Sequence, residues 1–314
     1  LKAPTGRSRT PQGAAQMAPS DSAAPSAPLS AFLPESLQQR YLLAGRTLHD
    51  SFASKVLLAA DRGSGARVAI KAVQKPGHGA GSEEDCLQAR AEVAAYRAMP
   101  PHPHVLQLLA WEETASSLLL VTPYMSGGDL WELMKFGRTY CEREVRHCLA
   151  QVLSALRHLH EDCRLIHDDL KPQNLLLSRV GGQYVVQLCD FGLARRVSTP
   201  ESLVEFAGLR GTSGWFAPEQ LEGRDYGAAV DLFACGLLLF RMLAGYGPFE
   251  RWDRACREPN FDERYWGHVS PACRELAAQL IAAEPAARPT ARAASAHRWV
   301  AGPPPPEPAA AQLA

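Results

Sequence analysis

The sequence predicts an α+β protein of two lobes, with strands concentrated in the first part of the chain and helices in the second. Short runs of β-forming residues, separated by turn residues, occupy the region up to about residue 124. Apolar residues at helical spacing dominate the region that follows. A chain in which strands and helices are segregated in this way is typical of an α+β architecture.

The first lobe is predicted to be a small sheet with one helix. Two strand-like runs, Lys55–Ala60 and Arg67–Val73, flank a Gly-rich turn. The segment Glu83–Met99 has the composition of a helix. Two further strands are predicted at Val105–Leu109 and Ser117–Val121.

The second lobe is predicted to be mostly helical. Apolar residues recur at three- or four-residue steps along Val145–Leu159, which indicates one apolar face of a long helix. The dipeptide Gly181-Gly182 lies between Leu175–Leu177 and Tyr184–Leu188, a pattern that favours a β-hairpin. The apolar run Leu232–Phe240 is too short to span a membrane and is interpreted as a buried helix.

The two ends of the chain differ from the region between them. Residues 1–36 are rich in Ala, Pro and Ser without apolar periodicity, and residues 302–314 look the same, so both are expected to be disordered tails. Residues 1–30 carry no acid before Asp21, which leaves organelle import as an alternative. Pro303–Pro306 has two interpretations, a solvated tail or a polyproline helix for an SH3 or WW partner.

Composition argues against several classes of function. Lys+Arg and Asp+Glu both number 33, so the net charge of +0 gives no global attraction to nucleic acid or to an anionic membrane. None of the eight cysteines forms a C-x-x-C pair, and we expect reduced thiols in an intracellular, cytoplasmic protein. No apolar run approaches the ~18 residues that a membrane span needs.

The residues suited to catalysis lie in two short motifs, HDDLKPQN at 167–174 and, further on, the tripeptide DFG that begins at Asp190. Phosphoryl transfer needs positioning, metal ions and charge neutralisation more than covalent help. Asp169 can accept the proton of an attacking hydroxyl, and Lys171 can neutralise charge on the moving phosphoryl group. Asn174 and Asp190 supply hard oxygen ligands, which suit Mg²⁺.

These motifs resemble the catalytic loop and the magnesium-binding motif of the protein kinase superfamily. Further motifs follow in kinase-like order over residues 41–300, and the ending 288–300 is similar to calmodulin-dependent-kinase-like catalytic domains. The resemblance implies a two-lobed kinase domain, with a small antiparallel sheet and one helix in residues 37–124 and a larger helical lobe in residues 125–301. It also implies that ATP and Mg²⁺ are used, with a protein Ser or Thr hydroxyl as acceptor.

The resemblance assigns roles in a nucleotide cleft. The V-A-I-K run ending at Lys71 is similar to the third strand of the family, in which the lysine holds the α- and β-phosphates. Glu92, in the following helical segment, is expected to pair with Lys71. Val56, Ala69 and Leu176 are expected to sandwich the adenine.

The segment Leu118–Met125 resembles the last strand of the small lobe and the hinge. The carbonyl of Pro123 and the backbone of Met125 are expected to bond to the adenine, with Thr122 as gatekeeper. Asp129 has two interpretations that do not exclude each other, an acceptor for the ribose or the N-cap of the next helix.

The segment Gly211–Glu219 resembles the substrate-side loop that ends in A-P-E. Thr212, together with the lysine of the catalytic loop, is the pattern of Ser/Thr kinases. Glu219 is expected to form a buried ion pair with Arg288, and Asp231 to bind the catalytic-loop backbone. Four residues are expected to stack between the lobes: Tyr96, Leu108, His167 and Phe191.

The phosphate-covering loop departs from the family pattern. Counting fifteen residues back from Lys71 gives Val56, the last position of the loop motif. The three glycine positions then hold His49, Ser51 and Ser54, so the backbone is expected to approach phosphates less readily.

Two further departures concern regulation and substrates. Asp168 stands where most kinases carry an arginine that binds a phosphorylated residue, and an aspartate would repel one. Arg241, ten residues after Asp231, stands where kinases that prefer basic substrates often carry an acid, and Gln173 is neutral. A preference for basic substrates is therefore not expected.

Two functional hypotheses remain open on the sequence. The first is an active Ser/Thr protein kinase, because the residues assigned to the chemistry are all present. The second is a pseudokinase, a scaffold with weak or no catalysis, because the loop lacks its glycines and because of Asp168. A small-molecule kinase is disfavoured by the A-P-E segment, which serves protein substrates.

Overall fold

The chain folds into two lobes, and the computed structural model describes residues 33–135, 139–249 and 259–303. The first lobe contains, in chain order, α1 (Glu35–Arg40), β1 (Tyr41–Asp50), β2 (Ser54–Asp61), β3 (Arg67–Gln74), α2 (Glu83–Ala98), β4 (Ala110–Glu113) and β5 (Ser117–Pro123). The five strands form an antiparallel sheet in the order β1-β2-β3-β5-β4. The α+β class predicted from the sequence is confirmed.

Two elements of the first lobe were missing from the prediction. Leu37 of helix α1 and Leu33, which precedes the helix, are buried beside Tyr41 in a small core against the sheet. Residues 33–36, which the sequence pattern assigned to the tail, therefore carry defined structure, and the described part of this lobe has two helices. Strand β1 is not recognised from the sequence because its pairing with β2 is irregular around Gly45, which has a φ of +67°.

The strand predicted at Val105–Leu109 is wrong. Val105 forms an isolated bridge with Leu188, and Leu106 donates its backbone N–H to the Leu188 carbonyl at 2.9 Å. Val105 is buried in the core of the second lobe. This apolar run docks the first lobe onto the second, and the sheet is extended only by β4, which begins at Ala110.

The second lobe is mostly helical. Its helices are α3 (Leu130–Met134), α4 (Glu142–Arg157), α5 (Pro218–Leu221), α6 (Ala229–Ala244), α7 (Glu263–Trp266), α8 (Pro271–Leu280), α9 (Ala291–Ala296) and α10 (Arg298–Ala301), with a π-helical turn at His158–Cys163 and 3₁₀ turns at Pro172–Asn174 and Pro285–Ala287. Two short antiparallel pairs join β6 (Leu165–Ile166) to β9 (Arg195–Arg196) and β7 (Leu175–Val180) to β8 (Gln183–Leu188). The predicted long helix and the predicted hairpin are confirmed.

Helix α6 is the centre of the second lobe. It is apolar nearly all round and buried along almost its whole length, as expected of a helix inside a core. Gly236 permits the close approach of α8, because a Cβ at this position would lie 2.7 Å from the Cβ of Leu280. Since α6 also carries Asp231, its fixed place sets the place of the loop that Asp231 binds.

Nothing in the described ranges meets the requirements of a membrane-crossing helix, in length together with apolar character. The predicted tails before residue 33 and after residue 303 lie outside the described residues, as does most of the proline run Pro303–Pro306.

Candidate active site

The loop between β6 and β7 is anchored on α6. Asp231, which is 1% exposed, accepts hydrogen bonds from the backbone N–H groups of His167 at 2.8 Å and Asp168 at 3.0 Å. Its Oδ2 also lies 2.8 Å from Nε2 of His160. Burial opposes a charge on Asp231, but the contacts with His160 and His167 outweigh it and lower its pKa. Asp231 is therefore the loop anchor that the sequence predicts.

Asp169 lies at the centre of a group of polar contacts. Lys171 Nζ is 2.6 Å from Asp169 Oδ2 and 2.6 Å from Thr212 Oγ1. Asn174 donates its side-chain N–H to the carbonyl of Asp169 at 2.9 Å and to Oδ2 at 3.2 Å. Asp169 Oδ1 is buried and has no hydrogen-bond partner among the described residues. Oδ2 of Asp169 is thus bonded to Lys171 and Asn174, whereas Oδ1 can accept a further hydrogen bond.

Lys71 of β3 joins this group from the first lobe. Its Nζ lies 2.7 Å from Oε2 of Glu92 in α2, the predicted ion pair, and 3.5 Å from Oδ1 of Asp190. Burial opposes a charge on Lys71, but the carboxylates of Glu92 and Asp190 outweigh it and raise its pKa. Lys71 is therefore a cation at neutral pH, placed where the two lobes meet.

Asp190 and Asn174 lie at the same point of the cleft. The N–H of Cys189, next to Asp190, donates to the Asn174 carbonyl at 3.0 Å. Burial opposes a charge on Asp190, but the positive charge of Lys71 and the ring of His167 outweigh it and lower the pKa of Asp190. The carboxyl group is therefore ionised at neutral pH.

The oxygens at this point fit the metal ion that the resemblance implies. Asn174 turns its amide nitrogen towards Asp169, which leaves its Oδ1 on the opposite side. The ionised side chain of Asp190 is 43% exposed. Mg²⁺ is usually held by one or two carboxylate or amide oxygens and completes its shell with water and substrate phosphates. Asn174 and Asp190 would be its protein ligands.

An aromatic stack connects the two lobes behind these polar groups. The ring of Phe191 is 5.0 Å from that of Tyr96 in α2 and 5.2 Å from that of His167, both edge-on. Leu108 packs against the same core. Because Phe191 follows Asp190 directly, the stack fixes α2, the catalytic loop and the metal-binding motif together. The sequence predicts these four stacking residues.

Several of the residues predicted to surround the adenine lie on one face of the sheet, together with Lys71. Side chains of a strand alternate between its two faces, and in β3 Ala69 and Lys71 are half-buried while their neighbours are buried. Val56 is opposite Lys71 in the sheet, and Thr122 is opposite Ala69. Leu176, from the second lobe, is also half-buried. Val56, Ala69 and Thr122 therefore share the face of the sheet that carries Lys71, and their contact with an adenine stays a prediction.

The segment after β5 leads from one lobe to the other. Pro123 ends β5 opposite Val68, and the buried Met125 accepts at its carbonyl a hydrogen bond from Gly128 N–H at 3.3 Å. Asp129 accepts from the N–H of Glu132 at 2.9 Å and caps α3. The N-cap interpretation of Asp129 is thus confirmed, and its contact with ribose remains a prediction.

The turn between β1 and β2 occupies the place of the phosphate loop. His49 pairs with Val56 across the hairpin. Ser51 Oγ donates to the Ser54 carbonyl at 2.9 Å and accepts from the Ser54 N–H at 3.2 Å. Gly45 lies four residues before His49, too far from the tip to replace a loop glycine. The serine hydroxyls therefore engage the backbone that a phosphate would otherwise contact.

The side chain of Asp168 forms hydrogen bonds with two other side chains of the second lobe. Its Oδ1 accepts from Gln220 Nε2 at 2.9 Å and its Oδ2 from the Tyr226 hydroxyl at 2.6 Å. Arg195 donates to the Tyr226 hydroxyl at 3.2 Å. Burial raises the pKa of Asp168 to about 7 despite the Tyr226 hydrogen bond, with the charge of Asp231 adding to the effect. Gln220 and Tyr226 carry no sequence signal that marks them as its partners.

The predicted ion pair between Glu219 and Arg288 is present. The guanidinium binds both carboxylate oxygens, at 2.7 and 2.8 Å, and the two side chains are 1% and 0% exposed. Arg288 also donates to backbone carbonyls, including Ala282 at 2.8 Å. The pair joins the end of the substrate-side loop to the far part of the second lobe.

The two-lobed fold and the Lys71, Asp169 and Asp190 cluster define a protein kinase domain. In agreement with this, the family model described as "Protein kinase domain" matches residues 51–300. The chain therefore belongs to the protein kinase family, as a member of the Ser/Thr type that is similar to the calmodulin-dependent kinases.

Individual relatives support this assignment. The chain is 32% identical over 256 residues to calcium/calmodulin-dependent protein kinase type 1B of Rattus norvegicus, covering 79% of this chain and 72% of that protein. It is 32% identical over 209 residues to the kinase cmkA of Emericella nidulans, covering 64% of this chain and 50% of the relative. It is 33% identical over 208 residues to the type II alpha chain of Drosophila melanogaster, covering 63% and 38% respectively.

Proposed function

We propose that this chain transfers the γ-phosphoryl group of ATP to a Ser or Thr hydroxyl of a protein, with Mg²⁺ as the metal. The single observation that carries the proposal is the meeting of Lys71, Asp169, Asn174 and Asp190 in one cleft. Lys71 lies 3.5 Å from Asp190, Asn174 bonds to Asp169 at 2.9 Å, and the residue before Asp190 bonds to Asn174 at 3.0 Å. Phosphoryl transfer depends chiefly on such positioning of charges.

Asp169 is the proposed base. Its Oδ1, which lacks a partner among the described residues, is the acceptor for the proton of the incoming hydroxyl. Gly211 keeps this oxygen reachable, because a Cβ there would lie 3.1 Å from it, and the φ of +113° at Gly211 is strained for other residues. Lys171 binds the other oxygen and brings a positive charge close to the position of transfer.

The remaining groups hold the nucleotide. Lys71 would bind the α- and β-phosphates while Glu92 keeps it in place. Bound Mg²⁺, held by Asn174 and Asp190, would supply positive charge to the phosphate oxygens. Val56, Ala69 and Leu176 would cover the faces of the adenine, and the backbone of Pro123 and Met125 would bond to its edge.

One observation supports a second candidate, a pseudokinase that binds partners without efficient transfer. The turn that should cover the phosphates is closed on itself by Ser51 and Ser54, which are bonded through their hydroxyls and backbone. Weak nucleotide binding follows from this contact, because the phosphates must compete with it.

The deciding experiment measures γ-phosphate transfer from ATP to a mixed Ser/Thr peptide library with Mg²⁺. We expect transfer by the native chain and a loss of at least a hundredfold in Asp169→Asn, since a positioned base contributes about 10²–10⁴-fold. Asp162→Asn, at an exposed carboxylate near the end of the π-helical turn, is the matched control and should keep full activity. Equal signals from the native chain and Asp169→Asn would remove the enzyme proposal. Thermal stabilisation by ATP would then test the pseudokinase alternative.

A further inference from the structure

Arg241 contacts two residues of the segment that resembles a substrate-side loop, Gly214 and Trp215. It stands in the last turn of α6, with Cζ 4.9 Å from the centroid of the Trp215 ring and Nη2 3.5 Å from the carbonyl of Gly214. Trp215 lines the same small cavity as Asp169 and Thr212. The guanidinium is therefore one aromatic side chain away from the proposed base.

The charge of Arg241 is not compensated within the described residues. Its Nε is buried and has no hydrogen-bond partner there, and its contact with the Gly214 carbonyl is at the limit of a hydrogen bond. Burial lowers the pKa of Arg241. Arg288, a buried arginine of the same lobe, differs from Arg241, because it binds both oxygens of Glu219. Arg241 is partly buried, and its Nε lacks a hydrogen-bond partner among the described residues, so its guanidinium retains donors with which it can bind an anion.

Small residues keep the guanidinium accessible. A Cβ at Gly214 would lie 3.9 Å from Nη2 of Arg241, and a Cβ at Gly247 would lie 3.4 Å from it. A longer side chain at either position would cover the group.

We infer that Arg241 is a specificity residue that binds an anionic side chain of the protein substrate, a carboxylate or a phosphate. A guanidinium matches both anions through paired N–H donors. The inference rests on the proposed function, because it assigns a substrate class to the same site. It also agrees with the cation–π contact in which Cζ of Arg241 lies 4.9 Å from the centroid of the Trp215 ring.

The position of Arg241 limits where the anion stands in the substrate. Asp231, which binds the catalytic loop, precedes Arg241 by ten residues on α6, or about 15 Å along the helix axis. An extended peptide rises about 3.3 Å per residue. The acidic residue is therefore expected within about five residues of the accepting hydroxyl.

The test is a positional peptide scan with the whole chain. Each position within five residues of a fixed Ser or Thr is varied through Ala, Asp, Glu, phosphoserine and Arg, and kcat and KM for transfer are measured. We expect one position at which an anion raises kcat/KM about tenfold over Ala, the scale of a charge-assisted hydrogen bond. Asp and Glu arms that succeed where phosphoserine fails identify a carboxylate, and the reverse identifies a phosphate.

Three variants separate recognition from a structural role. Arg241→Gln should abolish the preference through a higher KM with kcat retained, and Arg241→Glu should reverse it in favour of Arg. Arg292→Gln, at an exposed arginine that pairs with Glu161, should change nothing. Equal loss on all peptides in Arg241→Gln, or an active native chain without any anion preference, overturns the inference.

The outcome also distinguishes this inference from the proposed function. If no peptide is phosphorylated, the proposed function fails, and fluorescence polarisation then compares the binding of labelled acidic and alanine peptides. Tighter binding of the acidic peptide by the native chain, lost in Arg241→Gln, still supports the inference. Equal affinity of the native chain and Arg241→Gln for the acidic peptide rejects it.

Discussion

Ionisation of Asp168 should make the folded protein less stable as the pH rises. The carboxyl group is 5% exposed, and burial raises its pKa from the usual 3.8 to about 7. Between these two values the folded chain holds a proton that the unfolded chain has lost, so the free energy of unfolding falls with increasing pH. At about 1.4 kcal/mol per pH unit the whole effect is about 4 kcal/mol, of which about 2.5 kcal/mol falls between pH 5 and pH 8.

Urea unfolding at several pH values, on the native chain and on Asp168→Asn, measures this contribution. The variant cannot ionise, so the stability of the native chain relative to it should decline by about 2.5 kcal/mol from pH 5 to pH 8. The variant also has a constant cost. Gln220 accepts the N–H of Ala217 at 2.9 Å through its Oε1, which fixes its Nε2 towards residue 168; the new amide oxygen therefore takes that bond, and the new amide nitrogen replaces the acceptor of the Tyr226 hydroxyl. That cost does not vary with pH. The change of the stability difference with pH therefore reports only the ionisation of Asp168.

Tyr226→Phe is the sharper variant, because it retains the carboxyl group and removes one hydrogen bond. The Tyr226 hydroxyl bond lowers the pKa of Asp168, so its loss should move the decline in stability to a higher pH. Asp50→Asn removes an exposed carboxylate of β1 and is the control for the substitution itself. A stability difference between the native chain and Asp168→Asn that is constant across this range would refute the reasoning.

Two further predictions concern the ion pair and the serine turn. Glu219→Ala should lower the free energy of unfolding, measured in urea, by about 3–5 kcal/mol, because Arg288 would remain buried without its counter-charge. The control Glu222→Ala, in a partly exposed ion pair, should cost under about 1 kcal/mol, and equal losses in the two variants would contradict the prediction. Ser51→Gly combined with Ser54→Gly should lower the KM for ATP about fivefold with kcat little changed, because about 1 kcal/mol of competing contact is removed; an unchanged KM would show that the turn does not compete with the phosphates.

Elements with a strong period were predictable, and elements decided by contacts between the lobes were not. The long helix α4 and the hairpin of β7 and β8 follow from local patterns that their surroundings reinforce. The run Val105–Leu109 has the composition of a strand, but its first residues are bonded to Leu188 of the other lobe. Helix α1 is so short that only the burial of Leu33 and Leu37 distinguishes it from a tail.

The residues of the candidate site were likewise predictable from the sequence only where they belong to a recognisable motif. Lys71, Glu92 and Asp190 are recognisable because each belongs to an ordered motif, and the structure brings them together. The partners of Asp168 are not recognisable, because glutamine and tyrosine side chains are common and nothing local connects positions 52 and 58 residues away. The sequence therefore indicates that Asp168 is unusual, and only the structure shows what it binds.

The contacts of Asp168 also bear on the control of the proposed activity. In the family pattern, an arginine at this place draws the activation segment inwards by binding a phosphate. Here Asp168 is joined directly to Gln220 and Tyr226, and Arg195 reinforces Tyr226. All of these groups belong to the folded chain, so the catalytic loop is bound to the residues that follow the substrate-side loop without any phosphorylation. We therefore expect the rate of transfer to depend on ATP binding at the serine turn and on substrate charge at Arg241, and to be unaffected by phosphorylation of the segment.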